Sequence, residues 1–328
     1  MHSENALISR RNCLGTFAGG VFTVTAAGRL LGAGPAEEKP LFTFGCIADA
    51  QYADKATRGS RHYRNSLKKL ADCVADFNKR DLAFVIHLGD FIDRDFASFD
   101  RILPVYNRLK ATHYHVLGNH DYVVADDKKA DVPAKLGMKS RFYSFTIDRW
   151  RFVCLDGNDV SFQASTKGTE KYNKAREMLA KVKAAKAPNA YNWNGAIGDK
   201  QMAWLRGELT AATKEKQKVI VFCHFPVYPR GAHNLWNDAQ VVTLLESFPC
   251  TVAYMNGHNH SGSYGKKNGV HYQTFKGMVE TATRNTYATA QVHPKHTSID
   301  GIGREPDRHC PIRPKALALR RQAPVGKR

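Results

Sequence analysis

Paired cysteines are missing from this sequence. The seven thiols, Cys13, Cys46, Cys73, Cys154, Cys223, Cys250 and Cys310, include no Cys-x-x-Cys pair, and without ligand spacing a cysteine zinc site is excluded. Cys46, Cys154 and Cys223 lie in apolar, strand-like runs, where a thiol behaves as a small buried hydrophobe; disulfide pairing stays open. No internal repeat is present, so a solenoid or propeller is excluded. Long apolar runs are also lacking: the weakly apolar stretch to about Ala33 is broken by Gly28, Arg29 and Gly32, which excludes a membrane span there. Acid is scarce, with 30 Asp and Glu against 49 Lys and Arg and a net charge of +19. Of that charge, +2 falls in residues 1–33 and +6 from Pro311 onward, leaving +11 for the body. Such a body suits a small anionic substrate. No basic helix interleaved with aromatics accompanies it, so no specific nucleic-acid partner is expected.

What is present is a chain of 328 residues, 43% of them hydrophobic, enough for a substantial α/β core. Ser9-Arg10-Arg11-Asn12-Cys13-Leu14 ahead of the weakly apolar stretch resembles a twin-arginine export signal over residues 1–33. Export to the periplasm or the extracellular space is therefore expected, and a cytoplasmic location if the arginine pair is incidental. Cys13 precedes the apolar stretch, which argues against a lipid anchor. Residues 34–40 read as a linker, 40–310 as a single domain, and 311–328, basic with three prolines and no pattern, as a disordered tail. Oligomeric state is open.

The domain begins with a buried strand, Leu41 to Ala48. An amphipathic helix over Tyr63 to Phe77, a nearly all-apolar strand at Leu82 to Leu88, a helix over Phe96 to Leu109 and a strand at His113 to Leu117 follow. This β-α-β-α-β rhythm predicts right-handed crossovers and parallel pairing. Phe142 to Ile147 and Trp150 to Leu155 predict a hairpin in a second sheet. Thr169 to Ala187 reads as an exposed Lys/Ala-rich helix, and Asp199 as the cap of a helix to about Ala212. A strand at Val219 to Cys223, a helix at Asp238 to Phe248 and a strand at Val252 to Met255 come next. The runs Val270 to Phe275 and Tyr287 to Val292 are expected to continue the second sheet.

Five strand ends carry the chemistry. They are Ala48-Asp49-Ala50-Gln51, Gly89-Asp90-Phe91-Ile92-Asp93, Gly118-Asn119-His120-Asp121, Cys223-His224-Phe225-Pro226 and Gly257-His258-Asn259-His260. Gly-Asn at one end would by itself be an ordinary turn. Together, five ends that deliver oxygen or imidazole donors and no thiolate point to a two-metal site. Asp49 and Gln51 lie two apart, so an extended chain would turn both to one side. The same donors fit Mn²⁺, Fe or Zn²⁺, and an amide at Gln51 favours the harder Mn²⁺. Near the first of them, Arg58, Arg61 and Arg64 form either a solvated basic patch or a phosphate-binding one. Tyr191-Asn192-Trp193-Asn194-Gly195 is either ordinary packing or a wall on which a base stacks. Arg61, Arg64, Tyr191, Trp193 and Asn194 are therefore the candidate substrate-binding residues.

The ordered set of five motifs, from Leu41 to about Gly277, resembles the calcineurin-like metallophosphoesterase superfamily. Gln51, where most of that superfamily has His, together with Tyr63-Arg64-Asn65-Ser66-Leu67, Trp193-Asn194-Gly195, Gly262-Ser263-Tyr264 and Gly303-Arg304-Glu305-Pro306-Asp307-Arg308, is similar to the manganese-dependent ADP-ribose/CDP-alcohol diphosphatase family. The resemblance implies a four-layer α/β/β/α sandwich of two mixed sheets. It places Asp49, Gln51 and His260 on one divalent ion and Asn119, His224 and His258 on a second, with Asp90 bridging. It implies in-line attack by a metal-activated hydroxide, with His120, oriented by Asp121, as proton donor and Asp93 in support. No Ser or Cys in the motifs offers a nucleophile.

Hydrolysis of the phosphoanhydride bond of nucleoside diphosphate compounds such as ADP-ribose or CDP-choline is the expectation. The alternatives are a cyclic-nucleotide phosphodiesterase or phosphomonoesterase of the same superfamily, and a secreted basic protein that binds phosphate-rich polymers. Metal-dependent turnover of bis(p-nitrophenyl) phosphate separates enzyme from binder.

Overall fold

A computed structural model describes residues 38–314 and Ala316; the export-signal reading and most of the tail lie outside these residues. Parallel pairing starts at once. β1 (Phe42–Ile47) pairs in parallel with β2 (Phe84–His87), and β2 with β3 (His113–His115). The crossovers are α1 (Ser66–Phe77) and α2 (Ser98–Tyr106). In α1, Leu70, Cys73, Val74 and Phe77 recur at helical spacing and are all buried, and they pack with Ile47 and Val85 from the strands. All four residues of β2 are buried, as a strand covered on both faces requires.

After a short α3 (Val132–Lys135) the chain enters the second sheet through the antiparallel hairpin of β4 (Tyr143–Ile147) and β5 (Trp150–Cys154). An excursion follows, made of β6 (Val160–Ser161), α4 (Glu170–Ala184) and β7 (Gly195–Ala196). Thr169 caps α4 by accepting from the Tyr172 amide. Then come α5 (Asp199–Lys214), β8 (Lys218–Phe222), α6 (Asp238–Ser247) and β9 (Thr251–Asn256). Asp199 is the first residue of α5 and Gly198 its cap, one place earlier than the sequence suggested. β10 (Ser263–Lys267) and β11 (Val270–Thr274) complete this sheet, in the order β10-β11-β9-β8-β5-β4.

The chain then returns to the first sheet. β12 (Thr286–Val292) pairs antiparallel with β1, and β13 (His296–Gly303) and β14 (Arg308–Pro311) extend that edge, giving β14-β13-β12-β1-β2-β3. The expectation that the Tyr287 to Val292 run belongs to the second sheet is therefore corrected. A strand's apolar pattern fixes which face is buried, not which edge it joins.

Between the sheets, Phe44 of β1 stacks on Phe84 at 4.6 Å and meets Phe152 and Phe222 edge-on at 5.7 and 5.9 Å. Such pairs contribute about 0.5–1.5 kcal/mol each beyond area burial. The outer face of the first sheet packs α1 and α2, and that of the second packs α5 and α6, so the layers are α/β/β/α. Ile312 and Ala316 are buried in the inter-sheet core, so packing reaches past residue 310. The six described cysteines are all buried and unpaired. Among the described residues no helix is long and apolar enough to cross a membrane.

Candidate metal centre

β1, β2 and β3 of one sheet and β8 and β9 of the other end at a common rim, where their following residues converge. The chain there is not extended. Asp49, Gln51, Asp90 and His258 all have left-handed backbones, with φ of 52°, 43°, 55° and 67°. Conformations of this kind cost of order 1–3 kcal/mol each and persist where surrounding structure enforces them. Asp49 and Gln51 thus reach the same site through a turn, not through strand alternation as the sequence suggested. Two glycines permit the crowding. A Cβ on Gly118 would sit 2.1 Å from the Asp90 amide nitrogen, and one on Gly257 would sit 2.5 Å from Asp49 Oδ2; only glycine allows such approach.

Two donor groups result. Asp90, His224 and His258 form one, and Asp49, Asp90 and His260 the other; within each, the candidate ligand atoms lie within 4.8 Å of one another, and Asp90 is common to both. Each imidazole is oriented by its other nitrogen, as metal-ligating histidines are. His224 Nδ1 is 2.8 Å from the Leu88 carbonyl, His258 Nε2 is 3.1 Å from Asn194 Oδ1, and His260 Nδ1 is 2.6 Å from Glu280 Oε1. With those nitrogens donating, His224 Nε2, His258 Nδ1 and His260 Nε2 keep their lone pairs. Those lone pairs converge: His224 Nε2 lies 3.1 Å from His258 Nδ1, 3.2 Å from Asn119 Oδ1 and 3.3 Å from Asp90 Oδ2, and His260 Nε2 lies 3.4 Å from Asp49 Oδ1.

Gln51 donates its Nε2 to Asp90 Oδ2 at 2.8 Å, while its buried Oε1 has no partner. An orphaned amide oxygen and facing lone pairs are destabilising alone, and a divalent cation in each group resolves both. The residues therefore fit two divalent ions. Burial disfavours charge on His224 and His260, but Asp90 acting on the first and Asp49 on both offset it, and each imidazole is raised to about 9, so their Nε2 lone pairs draw positive charge, which a divalent ion would supply in place of a proton. The carboxylates thus hold surplus negative charge.

The orienting partner of His120 differs from expectation. Its Nδ1 lies 2.7 Å from Asp93 Oδ1, and Asp93 is fixed in turn by Arg94 Nε at 2.7 Å. Burial opposes charge on His120, but Asp90 and Asp93 outweigh it and hold the imidazole above its ordinary value. Asp121 does not touch that ring. Its carboxylate accepts the amides of Asp90, Phe91, Ile92 and Gly118 at 2.7–3.2 Å, because the 3-10 turn over His120–Tyr122 directs it back at the β2 end. Asp121 therefore shapes the turn that presents Asp90.

A cavity of about 310 Å³ opens over these groups, and Arg61, His120, Trp193 and His233 share its wall with the donors. Of the candidate substrate residues, Arg61 and Trp193 line it. Tyr191 stands behind Trp193, with ring centroids 4.1 Å apart and planes at 19°. Arg64 is elsewhere, its Nε 2.5 Å from Asp54 Oδ1. Asn194 is fully buried and bonded to the Asn189 and Ala232 carbonyls as well as His258; it orients a donor and is not exposed to substrate. Sequence reasoning missed Glu280 and His233. Neither belongs to a motif, and Glu280 lies 20 residues from the His260 it orients.

The sequence pattern of calcineurin-like phosphoesterases matches residues 42–262. A Xenopus laevis protein named manganese-dependent ADP-ribose/CDP-alcohol diphosphatase is 30% identical over 83% of this chain and 90% of its own length. The human protein of the same name is 28% identical, over 82% and 92%. The crystal structure of a dimetal phosphatase from Danio rerio superposes with a TM-score of 0.76 at 25% identity, covering 84% of this chain and all of that one. The chain belongs to the calcineurin-like phosphoesterase family, among the manganese-dependent ADP-ribose/CDP-alcohol diphosphatases.

Proposed function

We propose that this protein hydrolyses the phosphoanhydride bond of nucleoside diphosphate compounds such as ADP-ribose or CDP-choline. The observation that carries the reading is one cavity that joins two donor groups sharing Asp90 to an exposed, stacked Trp193–Tyr191 pair at its rim. Asp49, Gln51, Asp90 and His260 would hold one divalent ion, and Asp90, Asn119, His224 and His258 the other. When bound, the ions supply Lewis-acid polarisation of phosphate and activation of water. The neutral amide oxygen of Gln51 favours Mn²⁺ over softer ions.

With its Nδ1–H held beside Asp93 and its pKa raised above the ordinary value, His120 carries a second proton at Nε2, and that Nε2–H is the one given to the leaving-group oxygen, the ring ending neutral with its remaining proton at Nδ1. Trp193, backed by Tyr191, offers a flat face for the base, a sequence-tolerant contact worth about 1–3 kcal/mol where aromatic rings meet bases. Both ADP-ribose and CDP-choline present such a base, which accounts for one site accepting adenine and cytosine compounds.

The deciding experiment loads purified protein with Mn²⁺ and identifies products from ADP-ribose, CDP-choline, a cyclic nucleotide and a phosphomonoester. AMP with ribose 5-phosphate, and CMP with phosphocholine, are expected. Turnover of the cyclic nucleotide or monoester with neither diphosphate cleaved would overturn the reading. Export by the Arg10-Arg11 signal is part of the proposal and rests on sequence alone. Replacing both arginines by lysine should retain the chain in the cytoplasm, and unchanged export would show the pair to be incidental.

A further inference from the structure

A diphosphate diester carries two phosphoryl groups. Ions held by the two donor groups that share Asp90 would account for the one that is attacked; the other must find its donors elsewhere on the cavity wall. Most cations near the site are already committed. Arg64 pairs with Asp54 and Arg94 with Asp93. The buried ammonium of Lys69 donates to the carbonyls of Met278, Glu280 and Thr281, and Arg304 donates to that of Gly277.

Arg61 and His233 are not committed in this way, and both line the cavity. The backbone of Arg61 is fixed by mutual amide bonds with Arg58 at 3.1 Å and by a bridge to Glu280. Its guanidinium approaches one carboxylate, Glu280, at 4.0 Å, and Glu280 is already held by His260 at 2.6 Å. Arg61 shares the cavity wall with His120, His233 and His260. His233 sits in a braced loop. Asn194 Nδ2 donates to the Ala232 carbonyl at 2.7 Å, and Asn234 Nδ2 to the Pro229 carbonyl and Asp238 at 3.1 Å. The His233 ring packs edge-on against His258, with centroids 5.3 Å apart, and its nitrogens make no hydrogen bond among the described residues.

We infer that Arg61 and His233 form a subsite for the second phosphate, the one not held by the ions, and so select diphosphates over simple phosphodiesters. The inference rests on the diphosphatase reading above. A planar guanidinium gives two parallel N–H donors to phosphate oxygens, and a neutral imidazole adds a third, so the subsite does not depend on protonation of His233. At about 310 Å³ the cavity is at the small end of ligand sites. The two phosphates fill it, and the base lies outside against Trp193.

The test compares the metal-loaded wild type with Arg61→Met, His233→Ala and His233→Asn. Binding of α,β-methylene-ADP and of AMP is measured by titration calorimetry, and kcat and KM on ADP-ribose and on bis(p-nitrophenyl) phosphate. Arg61→Met and His233→Ala should weaken α,β-methylene-ADP at least tenfold and AMP less than threefold. They should also raise KM for ADP-ribose at least tenfold beyond any change on the simple diester. His233→Asn, which keeps an N–H donor, should recover most of the loss. Equal loss on both nucleotides, or no loss on either, overturns the subsite. A wild type that prefers α,β-methylene-ADP but cleaves neither ADP-ribose nor CDP-choline overturns the diphosphatase reading while leaving the subsite standing.

Discussion

Asp93 Oδ1 lies 2.7 Å from His120 Nδ1, while Asp121, the residue adjacent to His120 in the chain, turns its carboxylate onto four backbone amides instead. The two acids therefore do different work. Asp93 orients a proton-bearing ring; Asp121 holds the turn on which Asp90 stands. Burial and the neighbouring Asp90 raise Asp121 to about 7, so its anionic form depends on those amides.

That division gives the first prediction. His120→Ala should keep its metal content and lower kcat on poor leaving groups by about 10²–10⁴, the range of a positioned proton donor, with a much smaller loss on a p-nitrophenyl ester. Asp93→Asn should show the same selectivity at smaller size. Asp121→Ala should instead lose thermal stability, because each buried amide left without an acceptor costs about 1–3 kcal/mol. An Asp121→Ala protein with wild-type melting temperature, or a leaving-group effect equal for both esters in His120→Ala, would contradict these assignments.

The second prediction concerns Gln51. Its Oε1 is buried without a partner while Nε2 is held by Asp90, so the free oxygen is the atom offered to an ion. Imidazole at this position would be a softer donor. Wild type should rank Mn²⁺ above Zn²⁺ and Mg²⁺, both in calorimetric affinity and in turnover of ADP-ribose. Gln51→His should move the ranking toward Zn²⁺ or Fe. An identical ranking in the two proteins would remove Gln51 from that role.

The third prediction is a loss of stability in acid, driven by histidines away from the centre. His115 packs against Phe91 and Tyr106, with centroids 5.0 and 4.8 Å apart. Burial, aided by His113, lowers its pKa to about 3; His87 beside it is lowered in the same direction, chiefly by burial. A histidine depressed in the folded state binds its proton more readily when unfolded. Its contribution is complete above about pH 6.5 and is lost as pH falls from there toward 3. At pH 5 the loss from His115 alone is about 2 kcal/mol, at about 1.4 kcal/mol per pH unit. Urea midpoints at pH 7.5 and 5 should therefore fall less steeply in His115→Leu than in wild type. Parallel pH dependences would rule the residue out.

The sequence by itself determined the central strands, the helices between them and the five ends that bear oxygen and imidazole donors, because these are local: periodicity over a few residues decides burial, and each motif sits directly after its own strand; the short β6, β7 and α3 and the edge strands β10, β13 and β14 carry no such pattern and appeared only in the fold. It also determined that the donors are hard or borderline and that no thiolate takes part. What only the tertiary structure decided were partnerships between distant segments. The choice of Asp93 over Asp121 for His120 depends on how a 3-10 turn faces the β2 end. Glu280 reaches His260 from the loop that joins β11 of the second sheet to β12 of the first. Asn194 moved from the substrate face to the support of His258, and β12 from the second sheet to the first, for the same reason. Side-chain orientation and sheet edge are set by packing between elements far apart in the chain, and no local pattern encodes that packing.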